Sequence, residues 1–306
     1  MTAAQRVLVT GAGGQLGSYL RPALLRAGYE VVGLGHGPGE GVDVVADIGD
    51  AGAVARAFGE AHPAIVIHGA AYTDVDGCEQ DPERAERVNH IGSHTVAEAA
   101  RRVGAWLLGV GTDFVFSGDA STPYAEDAPI GPISVYGASK LAGERAVLTT
   151  SPHFAVARTS WVFGGAGKHF PRTVVAMLRD RGAMAVVDDE VSCPTFAGDL
   201  AEALVALLPH RPAGVLHLTN EGPVSRFAFA RAIAGEAGFD PACVSPTTTA
   251  EFLEKYPLPA RRPAYSALAN RRAAALGVRL PPWEDAVARY VPRLAEEMQV
   301  NVKGTA

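Results

Sequence analysis

An α/β fold built on a doubly wound parallel sheet is what this sequence predicts, and three observations predict it. Short apolar runs alternate with helical patterns through the first half of the chain, a glycine-rich turn joins the first run to the first helix, and the residues with chemistry to offer fall just after the runs. Such alternation places helices on both faces of parallel strands, whose ligands bind beyond the strands' carboxyl ends.

Residues 6–10 form an apolar run of strand type, followed by Gly11-Ala12-Gly13-Gly14-Gln15-Leu16-Gly17 and a helical pattern over 18–27. Glycines at 11, 14 and 17 permit a tight turn, close approach of backbone N–H groups to a pyrophosphate, and close packing of helix on strand. Strand, glycine turn and helix in this order form the context that a Rossmann-type dinucleotide fingerprint requires. Residues 29–34 read as a second strand, 35–41 as a turn and 43–47 as a short third strand. A helix is expected over 51–61, a buried strand over 64–68, one long helix over 82–104 and a strand over 105–110. The helix carrying Tyr136 is expected to run to about residue 148, with a further strand over 154–158. Beyond it, stretches at 165–196, 217–266 and 280–300 are richer in Pro and loop-like sequence. The expected organisation is therefore a nucleotide-binding domain over 1–164, completed by parts of 197–220, and a smaller substrate lobe drawn mainly from 165–306.

With 306 residues, 48% of them hydrophobic, the chain can bury a sizeable core. A net charge of −6 and a pI near 5.9 give no electrostatic footprint for nucleic acid. No run reaches the length of a membrane span and the N-terminus leads straight into a strand, so neither a membrane partner nor a signal peptide is expected, and the compartment expected is the cytoplasm. Cys78, Cys193 and Cys243 are scattered without CxxC spacing, which argues against a disulfide framework or a zinc site.

Tyr136 and Lys140 stand four residues apart in Ser134-Val135-Tyr136-Gly137-Ala138-Ser139-Lys140, so a phenol and an ammonium share one helical face. A nearby ammonium favours the phenolate and is expected to lower the Tyr136 pKa toward the working pH of a catalytic acid. Candidates also follow the other strands: Asp47 and Ile48 after the third, Ala70, Ala71, Tyr72 and Thr73 after the 64–68 strand, and Thr112 and Asp113 after the 105–110 strand. Asp47 has an alternative reading as a helix cap, and Ala70 and Ala71 as small packing residues.

Together with Ala70-Ala71-Tyr72-Thr73-Asp74-Val75-Asp76, Thr112-Asp113-Phe114-Val115-Phe116-Ser117-Gly118, Trp161-Val162-Phe163-Gly164, Pro194-Thr195 and Arg262-Pro263, these segments resemble the extended short-chain dehydrogenase/reductases, and within them the dTDP-4-dehydrorhamnose reductase group. The resemblance runs over nearly the whole chain. It implies reduction of the 4-keto group of a nucleotide-linked 6-deoxysugar by NADPH or NADH, most simply dTDP-4-dehydrorhamnose to dTDP-rhamnose. It further implies Tyr136 as proton donor, Lys140 as the group tuning it and holding the nicotinamide ribose, and Thr112 as a hydrogen-bond partner of the carbonyl oxygen. Gly11, Gly14, Gln15, Leu16 and Gly17 would lie against the pyrophosphate, Asp47-Ile48 against the adenine, and Ala70 to Thr73 along the ribose and nicotinamide. Asp113, Trp161 and Arg262 would face the nucleotide-sugar, Trp161 beside sugar and base, and Arg262 at the diphosphate. Asn89 is expected to cap or kink a helix near the site. A homodimer is the family-level expectation.

Departures from the family pattern bear on that reading. Gly111 and Phe114 stand where the family usually has Ser and Tyr, which removes two hydroxyls near the carbonyl and leaves the sugar's identity open. Tyr19 occupies the position of a glutamate that in some members binds magnesium at a dimer contact, so no such metal is expected. Gly35 and His36 follow the second strand in place of an acidic residue for a ribose 2′-OH, so NADPH is permitted. Nucleotide-sugar dehydratases would require a glutamate where Phe114 stands, and an epimerase an acidic residue after the second strand. A regulatory subunit resembling the methionine adenosyltransferase β subunit is the non-catalytic alternative.

Overall fold

The computed structural model describes residues 4–299; residues 1–3 and 300–306 of the expected domains lie outside that range. Its centre is a seven-stranded parallel sheet with the order β11-β6-β5-β4-β1-β2-β3. The elements of its first half are β1 (Arg6–Thr10), α1 (Gln15–Arg26), β2 (Glu30–Gly35), β3 (Val44–Val45), α2 (Ala51–Ala61), β4 (Ile65–His68), α3 (Val75–Gln80), α4 (Pro82–Ala85), a π-helical turn (Glu86–Ile91), α5 (Gly92–Arg102) and β5 (Trp106–Thr112). There follow α6 (Val135–Thr150), β6 (Ala155–Thr159), β7 (Val162–Phe163), α7 (Phe170–Arg181), β8 (Met184–Val187), β9 (Val191–Ser192), β10 (Thr195–Phe196), α8 (Ala197–Leu207) and β11 (Gly214–His217). The chain closes with β12 (Val224–Ser225), α9 (Arg226–Glu236), β13 (Val244–Thr247), α10 (Thr249–Lys255), α11 (Arg271–Ala275) and α12 (Trp283–Glu297). No helix among the described residues is long and apolar enough to cross a membrane.

Side chains alternate across each strand, so the sheet feeds two cores. Val7 and Val9 of β1 point with Leu20 and Leu24 of α1 and Leu204 of α8 into one, while Leu8 joins Phe58, Val66, Val96, Leu107 and Val156 in the other. A third core, with Phe163, Val174, Phe229, Trp283 and Val291 among its members, holds the later elements together. Strand order reverses between β1 and β4, and the crevice at that switch point opens above Thr10 and His68.

Three expectations are corrected in detail. The third strand contracts to Val44–Val45, because its neighbour β2 pairs only at Leu34 and Gly35. β5 extends through Thr112, paired with Thr159 of β6, so Thr112 sits at the strand's last position rather than beyond it. The long helix expected over 82–104 is broken by the π-helical turn around Asn89. Propensity favours helix throughout that stretch, but the bulge lets the buried Asn89 amide engage backbone outside the helix, a common use of π-turns.

Candidate active site

Ser134 starts α6 by accepting a hydrogen bond at its Oγ from the Gly137 N–H at 3.1 Å. A Cβ on Gly137 would lie 2.2 Å from the Phe114 carbonyl oxygen, so glycine here lets the helix press against the turn that follows β5. That contact brings Tyr136 to Thr112. The Phe114 ring then packs edge-on to Tyr136 with centroids 5.4 Å apart, an apolar wall in the place of the family's second hydroxyl.

Burial pushes the Tyr136 phenol above its ordinary value, with the Thr112 hydroxyl pulling in the opposite direction. Desolvation of the phenolate sets that direction, so the phenol does not show the lowered pKa that its spacing from Lys140 suggested. Lys140 itself is lowered to about 8 by burial, against the opposing pull of Glu144. Its Nζ donates to the Val110 carbonyl at 2.9 Å, which fixes the ammonium between α6 and the end of β5.

A directional chain of hydrogen bonds sets the floor under these groups. Ser93 Oγ donates to the Asn89 carbonyl at 2.6 Å, so it accepts from His68 Nε2 at 3.0 Å. His68 Nδ1 is then the acceptor from Thr10 Oγ1 at 2.7 Å, and Thr10 Oγ1 accepts from the Ala70 N–H at 3.2 Å. The chain needs a neutral imidazole, and burial with the Lys140 charge lowers His68 to about 3. The Asn89 side chain accepts from the Tyr72 N–H at 2.8 Å and donates to the Tyr72 carbonyl and Ser139 Oγ at 3.0 Å each. Asn89 thus clamps the 70–73 loop to the helix bearing Tyr136 and Lys140.

Thr10, Ala70, Tyr72, Thr112, Phe114, Tyr136 and Lys140 line one cavity of about 810 Å³, within the range of small-molecule sites, and His68, Ser93 and Asn89 support its wall from behind. Every site residue named from sequence lines it: Gly11, Gly14, Gln15, Leu16 and Gly17; Asp47 and Ile48; Ala70, Ala71, Tyr72 and Thr73; Thr112, Asp113, Tyr136 and Lys140; Trp161 and Arg262. At one end Gly11 turns with φ +73°, and a Cβ on Gly17 would meet the Gly11 carbonyl at 2.5 Å, so α1 starts directly against the turn. Gly14 caps α1 without a side-chain hydrogen bond and its first turn holds no acid, which leaves N-terminal amides free to receive an anion. Asp47 is not the cap of α2, a role taken by Asp50; it accepts from Arg87 at 2.7 Å and from the Gly49 N–H at 2.8 Å.

The other end is made of ion pairs. Trp161, at φ +42°, holds a backbone conformation unusual for a bulky residue, and the Arg226 guanidinium stacks over its ring at 4.0 Å. Arg226 Nε donates to Glu190 at 3.0 Å, and burial lowers the guanidinium's pKa. Arg262 donates to Asp76 Oδ2 at 2.6 Å and Oδ1 at 3.3 Å. Asp113 lines the cavity with its carboxyl oxygens engaged by the protein. Its Oδ2 accepts from Ser266 at 2.5 Å and Ser192 at 3.2 Å, its Oδ1 from Thr112 at 3.2 Å, and burial raises it to about 6. Its carboxyl ties β5 to the later lobe and orients the Thr112 hydroxyl.

Arg226 and Lys168 line the cavity and were missed in the sequence. No motif marks Arg226, whose partner Glu190 lies 36 residues away.

Comparison with known proteins shows the family. Residues 5–296 match the family model described as the RmlD substrate binding domain. The chain is 44% identical to a dTDP-4-dehydrorhamnose reductase of Mycobacterium tuberculosis over 304 residues, 97% of this chain and 96% of that protein. It is 39% identical to a probable dTDP-4,6-dihydroxy-2-methyloxan-3-one 4-ketoreductase of Streptomyces antibioticus, over 98% of this chain and all of that one. Among solved structures, dTDP-4-dehydrorhamnose reductase from Bacillus anthracis in complex with NADP superposes with a TM-score of 0.87 at 34% identity, covering 94% of this chain and 98% of that one. The chain belongs to the RmlD family of dTDP-4-dehydrorhamnose reductases, within the extended short-chain dehydrogenase/reductases.

Proposed function

We propose that this protein reduces the 4-keto group of dTDP-4-dehydrorhamnose, or of a related dTDP-linked 4-keto-deoxysugar, with NADPH or NADH. The observation that carries the reading is that Tyr136, Thr112 and Lys140 line one cavity together with an uncapped helix N-terminus and a pair of guanidinium groups. The turn from Gly11 to Gly17 fits a dinucleotide pyrophosphate, since free amides and no side-chain cap meet the anion there. When bound, the nicotinamide supplies the hydride.

Everything else falls to the chain's own groups. Tyr136 keeps its proton near neutrality because burial disfavours the phenolate, and it releases that proton only to a strong base. A ketone oxygen becoming an alkoxide is such a base, so Oη protonates it as the C4–H bond forms. Lys140, still largely charged below its value of about 8, then stabilises the phenolate left behind. Thr112, whose hydroxyl here donates to Asp113 at 3.2 Å, would turn that proton to the carbonyl oxygen when the ketone is bound and so hold it against Tyr136. Arg226 and Arg262 would engage the diphosphate of the sugar nucleotide, a planar fork suited to phosphate oxygens. The Trp161 ring would lie beside the sugar.

Incubation with dTDP-4-dehydrorhamnose and each reduced cofactor tests the proposal, followed by loss of reduced-nicotinamide absorbance and NMR of the product. The expected result is stoichiometric oxidation with formation of a C4 alcohol. Cofactor binding without turnover of any dTDP-4-ketosugar would contradict it and favour a regulatory subunit.

A further inference from the structure

Lys140 borders two spaces. It lines the large cavity, and it also lines a second one of about 10 Å³, the room of a single water molecule, walled by His68, Ser93, Val110, Glu144 and Val156. Among the described residues its one hydrogen bond runs to the Val110 carbonyl, a neutral acceptor. A buried ammonium so poorly matched favours loss of its proton, at about pH 5–6 in the extreme. The groups packed around it come from four sides. β4 presents His68, which is neutral, and β5 presents no titratable side chain. α5 presents Ser93, α6 itself Tyr136 and Glu144, and β6 Arg158. Glu144 follows Lys140 by one helical turn, shares its face and is the charge that opposes the effect of burial on it. Arg158 takes that carboxylate in a fork: Nε donates to Oε2 at 2.9 Å and Nη2 to Oε1 at 2.5 Å, with both side chains buried. Both carboxyl oxygens accept, so Glu144 is an anion. A Cβ on Gly111 would lie 3.0 Å from Arg158 Cγ, so the bare backbone there leaves room for the arginine beneath β5. A buried pair of this kind adds little stability over apolar residues of the same volume, which points to a task other than packing.

We propose that Glu144, braced by Arg158, is the buried counter-ion of Lys140, a positioning residue that keeps the ammonium charged at the wall of the catalytic cavity. The proposal rests on the reductase reading only in giving Lys140 its task; its main test needs neither sugar nor cofactor. Removing the carboxylate removes what favours the charged ammonium, so Lys140 should lose its proton at lower pH. Loss of packing alone would lower stability without moving that titration.

The chain has four lysines, Lys140, Lys168, Lys255 and Lys303, so NMR of protein labelled with carbon-13 at the lysine ε-carbon reads each one. The Lys140 signal is identified by its loss in Lys140→Arg. Its midpoint in the unaltered chain is expected at about pH 8. Glu144→Gln should lower that midpoint by about one pH unit or more, the effect of one nearby opposite charge. Glu144→Asp, which keeps the charge, should recover most of the shift. Should Glu144→Gln fail to fold because Arg158 is left unpaired, the double variant Glu144→Gln/Arg158→Met removes the pair without a lone charge, and the same fall is expected. The descending limb of kcat/KM against pH should move with the midpoint. An unmoved midpoint in a folded variant without the carboxylate would overturn the proposal. So would a midpoint of about pH 6 or below in the unaltered chain, where burial alone would put it. Failure of every ketosugar to turn over would sink the reductase reading and leave the lysine titration untouched.

Discussion

The two ends of the cavity are built from different materials. At the end near α1 the groups available to a ligand are backbone amides and small residues, supplied by the contiguous turn from Gly11 to Gly17 and the loop from Ala70 to Thr73. At the end near Trp161 they are side-chain charges, and each is held by a partner distant in sequence: Arg226 by Glu190 across 36 residues, Arg262 by Asp76 across 186. The difference teaches where substrate selectivity can change. A backbone-built end tolerates little alteration because its geometry is the fold itself, whereas a side-chain-built end can be retuned one residue at a time.

Replacement at the junction of the two ends should give the largest effect. Lys140→Met removes the cation that stabilises the phenolate, and kcat is expected to fall by roughly 10²–10⁴, the range of general acid–base contributions. Steady-state kinetics would check this, and an unchanged kcat would detach Lys140 from the chemistry.

Next come changes confined to one end. Arg226→Ala should raise KM for the sugar nucleotide about 10–100-fold, the order of one or two lost charge-assisted contacts, while leaving cofactor affinity unchanged. Equal weakening of both ligands would break the separation of the two ends. Glu190→Gln sharpens the same comparison, since it leaves Arg226 in place without its 3.0 Å carboxylate partner.

Sequence legibility follows the same division. The glycine turn and the Tyr136/Lys140 pair could be read because each lies within a few consecutive residues, and the parallel sheet because its strands and helices alternate along the chain. Arg226 could not, since its place over Trp161 depends on the packing of α9, β9 and the 161 turn. Spacing revealed that Lys140 shares a face with Tyr136, but it carried no information about how fully the phenol is desolvated, so the direction of the Tyr136 shift was misjudged. Asn89 was expected to perturb a helix; its π-turn, and its clamp on Tyr72 and Ser139, come from partners 17 and 50 residues away.

The pH dependence should be set at the junction. Lys140 is charged below about pH 8 and loses its proton as pH rises through that value. Reduction, which needs both the Tyr136 proton and the Lys140 charge, should therefore decline above about pH 8, approaching tenfold per unit. A flat kcat/KM profile to pH 10, about two units higher, would show that Lys140 does not control the proton donor.

Smallest is the effect of loosening the floor. Asn89→Ala removes both hydrogen bonds to the Tyr72 backbone and one to Ser139, and should lower stability by about 1–3 kcal/mol. As a positioning residue it should lower kcat several-fold with the KM for sugar nucleotide nearly unchanged. Thermal unfolding and the kcat/KM split measured together would distinguish this from simple destabilisation.

The account's central claim is that cofactor and sugar nucleotide occupy separate ends and meet at the Tyr136 hydroxyl. Tyr136→Phe tests it most directly, by titrating NADPH and dTDP into the variant and measuring turnover of dTDP-4-dehydrorhamnose in the same preparation. The predicted result is near-native affinity for both ligands with turnover reduced by roughly 10²–10⁴. Turnover within a few-fold of the unaltered protein would contradict the claim.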